Sequence, residues 1–439
     1  MWLRTALVGL ALTMTCTAAE PVPRPQIDDL ARLGFRWFQD NRNPQSGLVL
    51  DRSPNFKGRG TRSTMASIAS TGYFLSLLPE WVRVGWITQE DARRQAQQTL
   101  DFAWEKLPHH CGLFYHFMDW QTGARWEQVE VSTLDSAIFF NGCMVAAEAF
   151  GGTVADRANA LLDRAEWHKF LASQPSTNKE LLSLGWTPEK QLLTPADVRS
   201  SEMAMPYFLA VGSRTNAIHP DCWYNTAIVW GKVAGYRVLN PTHPLFTSYY
   251  GLGWHDLKGR VDRHGVDLEL NARLAALANR EMCLQKAKSQ TTYAVANGRW
   301  WGISAGDSPR GYVAPGPIDG DPDGTVWPLA SLAAIPWIPR ETESDYALWR
   351  ASKVWEKVCG DYGLSPFSLD RDWVGNDLIG IDVGAFCVNL ANHRHGTVRS
   401  LWMRHPIAAD ALRRLGYGPP RAGATSRTAT TRNADGDQR

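Results

Sequence analysis

Apolar positions recur at three- and four-residue steps through most of the chain. In the segment 27–40, Ile27, Leu30, Leu33 and Trp37 fall on one helical face, with Ala31, Phe35 and Phe38 beside them. The same reading predicts helices over 64–79, 88–107, 132–149, 155–173, 200–212, 221–236, 267–288, 325–335, 343–359, 380–393 and 404–415. The connections are long and rich in Trp, Gly, Pro and Asp, above all 108–131, 237–266 and 289–324. No period of roughly 20–50 residues repeats, so a solenoid is not supported. No Pro/Gly/Ser-rich stretch divides the body, and a single domain over 20–418 is expected. Periodicity alone supports the all-α class; about a dozen helices joined by long loops also fit a helical toroid, the (α/α)6 barrel.

The two ends follow different rules. Met1–Ala19 reads as a secretory signal: Arg4 supplies the positive start, Ala6–Met14 the apolar run and Thr17-Ala18-Ala19 the cleavage site. Cys16 raises a lipoprotein alternative, which Met14 and Thr15 before it do not favour. No later apolar run reaches membrane-spanning length. The expected product is a periplasmic or secreted protein beginning at Glu20. Residues 419–439, rich in Ala, Thr, Arg, Gly and Asp without apolar anchors, read as a disordered tail.

Composition narrows the function classes. The 439 residues are 44% hydrophobic with a net charge of +2, which leaves no basic footprint for nucleic acid. Twenty tryptophans are several-fold more than an ordinary globular chain carries. Beyond the leader six cysteines remain, Cys111, Cys143, Cys222, Cys283, Cys359 and Cys387, with no C-x-x-C spacing. An exported chain could pair them, but several lie in apolar helical runs as small buried hydrophobes.

Three segments bring carboxylates to helix starts: Glu130-Val-Ser132-Thr-Leu-Asp135, Ser200-Ser201-Glu202 and Gly380-Ile381-Asp382. In a toroid of alternating inner and outer helices, the edge where loops enter helices forms one shared cleft. Paired carboxylates across a cleft suit glycosidic cleavage, one donating a proton to the leaving oxygen and one ionised. Asp135, Glu202 and Asp382 are the catalytic candidates. Each also has a plainer reading. Ser132-x-x-Asp135 is a capping-box pattern, Glu202 complements a helix dipole, and Asp382 between glycines suits a tight turn. Pro206 cannot donate to the carbonyl of Glu202, which predicts an irregular first turn.

Trp254, Trp300, Trp301, Trp327 and Trp373 lie in or beside loops rich in Gly, Asp and Arg. Burial is the default for any one of them, but several together suit stacking on sugar faces. Trp254, Trp301, Trp327 and Trp373, with Tyr115, Asp119, Asp307 and Arg310, are the candidate substrate-binding residues. Asp319-Gly-Asp321-Pro-Asp323-Gly324 opens like a calcium loop, but Ala330 stands at its twelfth position. His109, His110, His116, His393 and His395 lack zinc-ligand spacing. Neither a metal nor a cofactor is expected, and phosphate-loop, dinucleotide and G-x-S-x-G motifs are missing.

At these residues the chain resembles the bacterial glucoamylase-like proteins that include endo-β-1,2-glucanases and the transglycosylating domain of cyclic β-1,2-glucan synthases. The matching stretches are Ala66–Gly72, Gly112–Asp119, Ser132–Gly142, Ser201–Ser213, Trp301–Tyr312, Gly324–Leu332 and Gly380–Pro406, in family order. The resemblance implies an (α/α)6 barrel and hydrolysis or transfer of β-1,2-linked glucose chains. It puts the proton donor on Glu202 and family aspartates on Asp135, Asp307 and Asp382. Asn141, the turn Ser213–Pro220 and His393-Arg394-His395 depart from the family pattern and are expected at the cleft rim. A transglycosylase, a hydrolase of another linkage and a non-catalytic glycan binder remain as alternatives.

Overall fold

The computed structural model describes residues 27–174, 179–195 and 197–420. The expected leader with Cys16, and the expected tail beyond Pro420, lie outside the described residues.

Four helices are apolar nearly all round and buried along most of their length: Ile68–Arg83, Thr133–Phe150, Ser201–Gly212 and Gly380–Arg394. A helix without a polar face must be covered on every side, and the packing does this in a closed circuit. Helix 68–83 packs on 133–150, and 133–150 on 201–212. Helix 201–212 meets the 3₁₀ turns Leu245–Ser248 and Gly251–Gly253. The second of these turns packs on 380–394, which returns to 68–83. The short helix Pro328–Leu332 joins the circuit against 380–394. More polar helices lie outside it. Asp28–Asp40 packs on 380–394, Gln89–Glu105 on 68–83, Gly152–Arg164 on 133–150 and Pro406–Leu415 on 201–212.

One close contact in the circuit is made by two glycines. A Cβ at Gly142 would lie 2.3 Å from the carbonyl oxygen of Gly72, and one at Gly72 2.5 Å from that of Ile138. Helices 68–83 and 133–150 therefore cross backbone to backbone.

The chain is mostly helical, as expected, but short antiparallel ladders line the edge where chains enter the buried helices. Met65–Ser67 pairs with Phe117–Asp119, Val131–Ser132 with Gly185–Thr187, and Arg52–Pro54 with Asp377–Ile379. Each ladder runs directly into a helix start, at Ile68, Thr133 or Gly380. Two predicted helices also fail over part of their length. In 221–236 only Asp221–Tyr224 is helical; Trp230–Val233 and Tyr236–Leu239 form a hairpin turned at Ala234 and Gly235, with φ of 47° and 89°. Positive φ at both turn residues is the two-residue hairpin signature, and it overrides helical periodicity. In 155–173 the helix ends at Arg164, and Leu171–Ser173 is a strand paired with Glu180–Leu182.

Among the described residues no helix is long and apolar enough to cross a membrane. The six cysteines there are unpaired, with Cys143, Cys222, Cys283 and Cys387 buried and Cys111 and Cys359 half-buried.

Candidate active site

Serine starts two of the acid-bearing helices. Ser132 Oγ accepts from the N–H of Asp135, and Ser200 Oγ from that of Met203, which satisfies orphan donors of the first turn. Asp135, Glu202 and Asp382 all stand in first turns, on the ladder edge. Helix 201–212 runs uninterrupted through Pro206, so the irregular first turn expected there does not form. The approach to Glu202 is instead fixed by a wholly buried ion pair. Arg199 Nη1 donates to Asp262 Oδ2 at 2.8 Å, both side chains being 0% exposed, and Arg199 also bonds Thr226 and the carbonyl of Trp223.

The capping serine is not what occupies the Asp135 carboxylate in full. One oxygen takes the Ser132 hydroxyl at 2.5 Å; the other faces His116 Nε2 at 3.4 Å. His116 Nδ1 contacts Glu130 Oε1 at 3.0 Å, and its ring stacks on Phe117. Burial alone would lower this imidazole, but the charge of Asp135, then Glu130 and Asp51, pushes it up to about 9. It is an imidazolium clamped between two carboxylates at neutral pH. His116, Glu130 and Asp135 are also the one trio among the described residues whose ligand atoms lie close enough for a metal ion. The carboxylates face opposite nitrogens of one protonated ring, an arrangement that fits an ion triple better than a ligand set.

Among the described residues neither Glu202 nor Asp382 forms an ion pair. Burial, then the negative charge of Asp135, pushes the Glu202 carboxyl up to about 8. Asp382 is pushed up to about 7 by burial and then by Asp307, against a 3.4 Å hydrogen bond from the Tyr250 hydroxyl. Asp307, Trp327, Asp377 and Asp382 line one recess. Arg52 grips Asp307 with both oxygens at 2.9 and 3.0 Å and also bonds Asp51 at 3.1 Å.

The other substrate-binding expectations are met differently. Trp254 and Trp301 are 0% exposed, their indole N–H groups bonded to Ser76 Oγ and Asp345 Oδ2. Trp300, equally buried, stacks on Trp349. None of the three offers a free ring face, because the loops around them fold inward as core. Trp327 is also buried, and its N–H donates to the carbonyl of Asp307 at 3.1 Å. Trp373 is half-buried on the strand Trp373–Val374. Tyr115 carries the Arg125 guanidinium 5.0 Å from its ring centre. One oxygen of Asp119 is taken by the N–H groups of Gln121 and Thr122 and the Thr122 hydroxyl, a turn acceptor. Arg310 is spent on Asp321 and Asp323, at 2.8 and 2.5 Å.

The departures expected at the rim lie elsewhere. Asn141 is buried and accepts from Trp402 Nε1. The segments 213–220 and 393–395 follow the C-terminal ends of helices 201–212 and 380–394, opposite Glu202 and Asp382. His395 is paired there with Glu80 at 2.6 Å. Sequence reasoning missed Arg52, Asp51, Tyr250 and the His116–Glu130 pair. His116 and Glu130 lie in segments it singled out, whereas Arg52 meets Asp307 from 255 residues away.

Residues 196–406 match the Glycoamylase family model, described as "Putative glucoamylase". The chain is similar to an exo β-1,2-glucooligosaccharide sophorohydrolase (non-reducing end) of Parabacteroides distasonis, 21% identical, with 92% of this chain and 59% of the relative covered. It thus spans about three-fifths of that relative's length. Among solved structures, an endo-β-1,2-glucanase of Chitinophaga pinensis, in complex with sophorotriose and glucose, superposes with a TM-score of 0.79 at 22% identity. That superposition covers 90% of this chain and 98% of the other. A β-1,2-glucanase of Parabacteroides distasonis gives 0.77 at 19% identity, covering 88% and 59%. Residues 196–406 are thus similar to that family, and the chain has the fold of these solved structures.

Proposed function

We propose that this chain is a glycoside hydrolase cleaving β-1,2-linked glucan, built as an (α/α)6 barrel over residues 20–418 and exported by its leader. The observation that carries the reading is the pair of uncompensated carboxyls at the ladder edge, Glu202 titrating at about 8 and Asp382 at about 7. At neutral pH Glu202 holds a proton to give to the glycosidic oxygen. Asp382, once ionised, takes the proton of a water attacking the anomeric carbon. Asp135, held by Ser132 and facing His116, adds to the effect of burial that keeps Glu202 protonated. The linkage is supported by the three relatives described above, all named for β-1,2-glucan or its oligosaccharides.

The test is a panel of linkage-defined glucans incubated with the purified protein, with products sized chromatographically. The expected result is shortening of β-1,2-glucan alone. Products longer than the substrate would make the chain a transglycosylase. Binding without turnover on any glucan would make it a glycan-binding protein.

A further inference from the structure

A cleft that holds glucose rings needs an apolar surface for their C–H faces, and the buried tryptophans do not supply one. Trp104, 36% exposed, has Arg157 and Arg164 over its ring, and the most exposed aromatic among the described residues is Tyr312, at 55%. It lies on the hairpin of Gly306–Ser308 and Gly311–Val313, directly opposite Asp307. Residues directly paired across an antiparallel hairpin project from the same face. The Tyr312 ring therefore stands beside the Asp307 carboxylate that Arg52 grips, and Asp307 lines the recess it shares with Asp382. The phenol is pushed up by burial and then by the charges of Asp382, Asp51, Glu202 and Asp135.

The hairpin is held rigidly enough to present a ring. Trp327 Nε1 bonds the Asp307 carbonyl, and a Cβ at Gly306, where φ is 147°, would lie 2.5 Å from the Trp327 ring. The Ser308 hydroxyl closes the turn onto the Gly311 carbonyl at 2.8 Å. Such a ring, left in water in the free protein, gains by burial under an apolar face.

We propose that Tyr312 is the platform on which one glucosyl ring of the substrate stacks at the mouth of the cleft. This rests on the glucanase reading above. The experiment compares wild type, Tyr312→Ala and Tyr312→Phe on β-1,2-glucan, measuring kcat, KM and Tm. Stacking predicts that Tyr312→Ala raises KM about tenfold or more with Tm unchanged, and that Tyr312→Phe stays within about twofold of wild type. Wild-type turnover with an unchanged KM in Tyr312→Ala overturns the platform and leaves the glucanase reading standing. A loss in Tyr312→Phe as large as in Tyr312→Ala also overturns it, because the hydroxyl would then be the working group. No turnover by wild type removes the glucanase reading, and the platform falls with it.

Discussion

Two acid-rich regions of this molecule share composition and differ in chemistry. In the loop 319–324, Asp321 and Asp323 are nearly inaccessible, but Arg310 reaches both and Arg371 adds a second contact to Asp323 at 2.8 Å. Those guanidiniums outweigh desolvation and hold the Asp323 carboxyl below its ordinary value. At the ladder edge, Asp135, Glu202 and Asp382 stand in the first turns of their helices, and Asp307 shares a recess with Asp382. Arg52 goes to Asp51 and Asp307 and His116 to Glu130 and Asp135, which leaves Glu202 and Asp382 raised. The contrast shows that burial raises a carboxyl unless nearby cations offset it. Unpaired acids beside a cleft are fit for proton transfer, whereas paired ones fasten a loop.

The largest effect expected from breaking this arrangement is at Glu202. Glu202→Gln keeps the shape of the side chain but cannot donate, which should cost about 10²–10⁴ in kcat on unactivated glucan. The loss should shrink on an aryl glucoside whose leaving group needs little protonation. Near wild-type turnover by the variant would remove Glu202 as the acid. Asp382→Asn should lose a comparable factor on both substrates, because the base acts on water whatever the leaving group.

A second prediction takes a paired acid next to the site. Asp262→Ala leaves Arg199 buried without its partner just before the helix of Glu202. Removing one member of a buried pair costs about 3–5 kcal/mol, read as a fall in denaturation midpoint. Full stability in this variant would mean that Arg199 finds other acceptors, and the rigid approach to Glu202 would need another source.

Much of this arrangement was legible from the residues. Ser-x-x-Asp at 132–135 and Ser-Ser-Glu at 200–202 announce both the cap and the acid, because capping is local and needs no tertiary partner. The periodic segments give most helices for the same reason. The tryptophans could not be placed this way: whether Trp254 or Trp301 faces a cleft or the core depends on partners such as Ser76 and Asp345, far away in sequence. The hairpin 230–239 was hidden because its Ala-Gly turn is a weak signal inside an apolar run. Tyr312 went unnoticed because its significance comes from a cross-strand neighbour, Asp307, whose own partner lies near the other end of the chain.

The pH dependence sharpens the comparison in both activity and stability. If Asp382 is the base and Glu202 the acid, turnover needs Asp382 ionised, above about 7, and Glu202 protonated, below about 8, so kcat/KM should follow a narrow bell between them. Both carboxyls bind protons more tightly folded than unfolded. Their linkage therefore makes stability fall as pH rises from the ordinary carboxylate range toward 8. Glu202→Gln should show a shallower fall in Tm over that window than wild type. An equally steep fall would place the titrating group elsewhere.

The smallest effect is expected at Arg310, on the paired side. If its role is to fasten the loop 319–324, Arg310→Ala should leave kcat/KM within about twofold of wild type, since Arg371 still holds Asp323. The sign of its pH effect is opposite to that of Glu202. The depressed Asp323 carboxyl contributes stability that is full above its ordinary value of 3.8 and fades as pH falls through the depressed one. Losing Arg310 should flatten that acid-side fall in Tm and leave the alkaline side untouched. A drop in kcat/KM of about tenfold or more with an unchanged acid-side profile would mean that Arg310 leaves the loop to meet the glucan, and the division between fastening and working acids would not hold at this position.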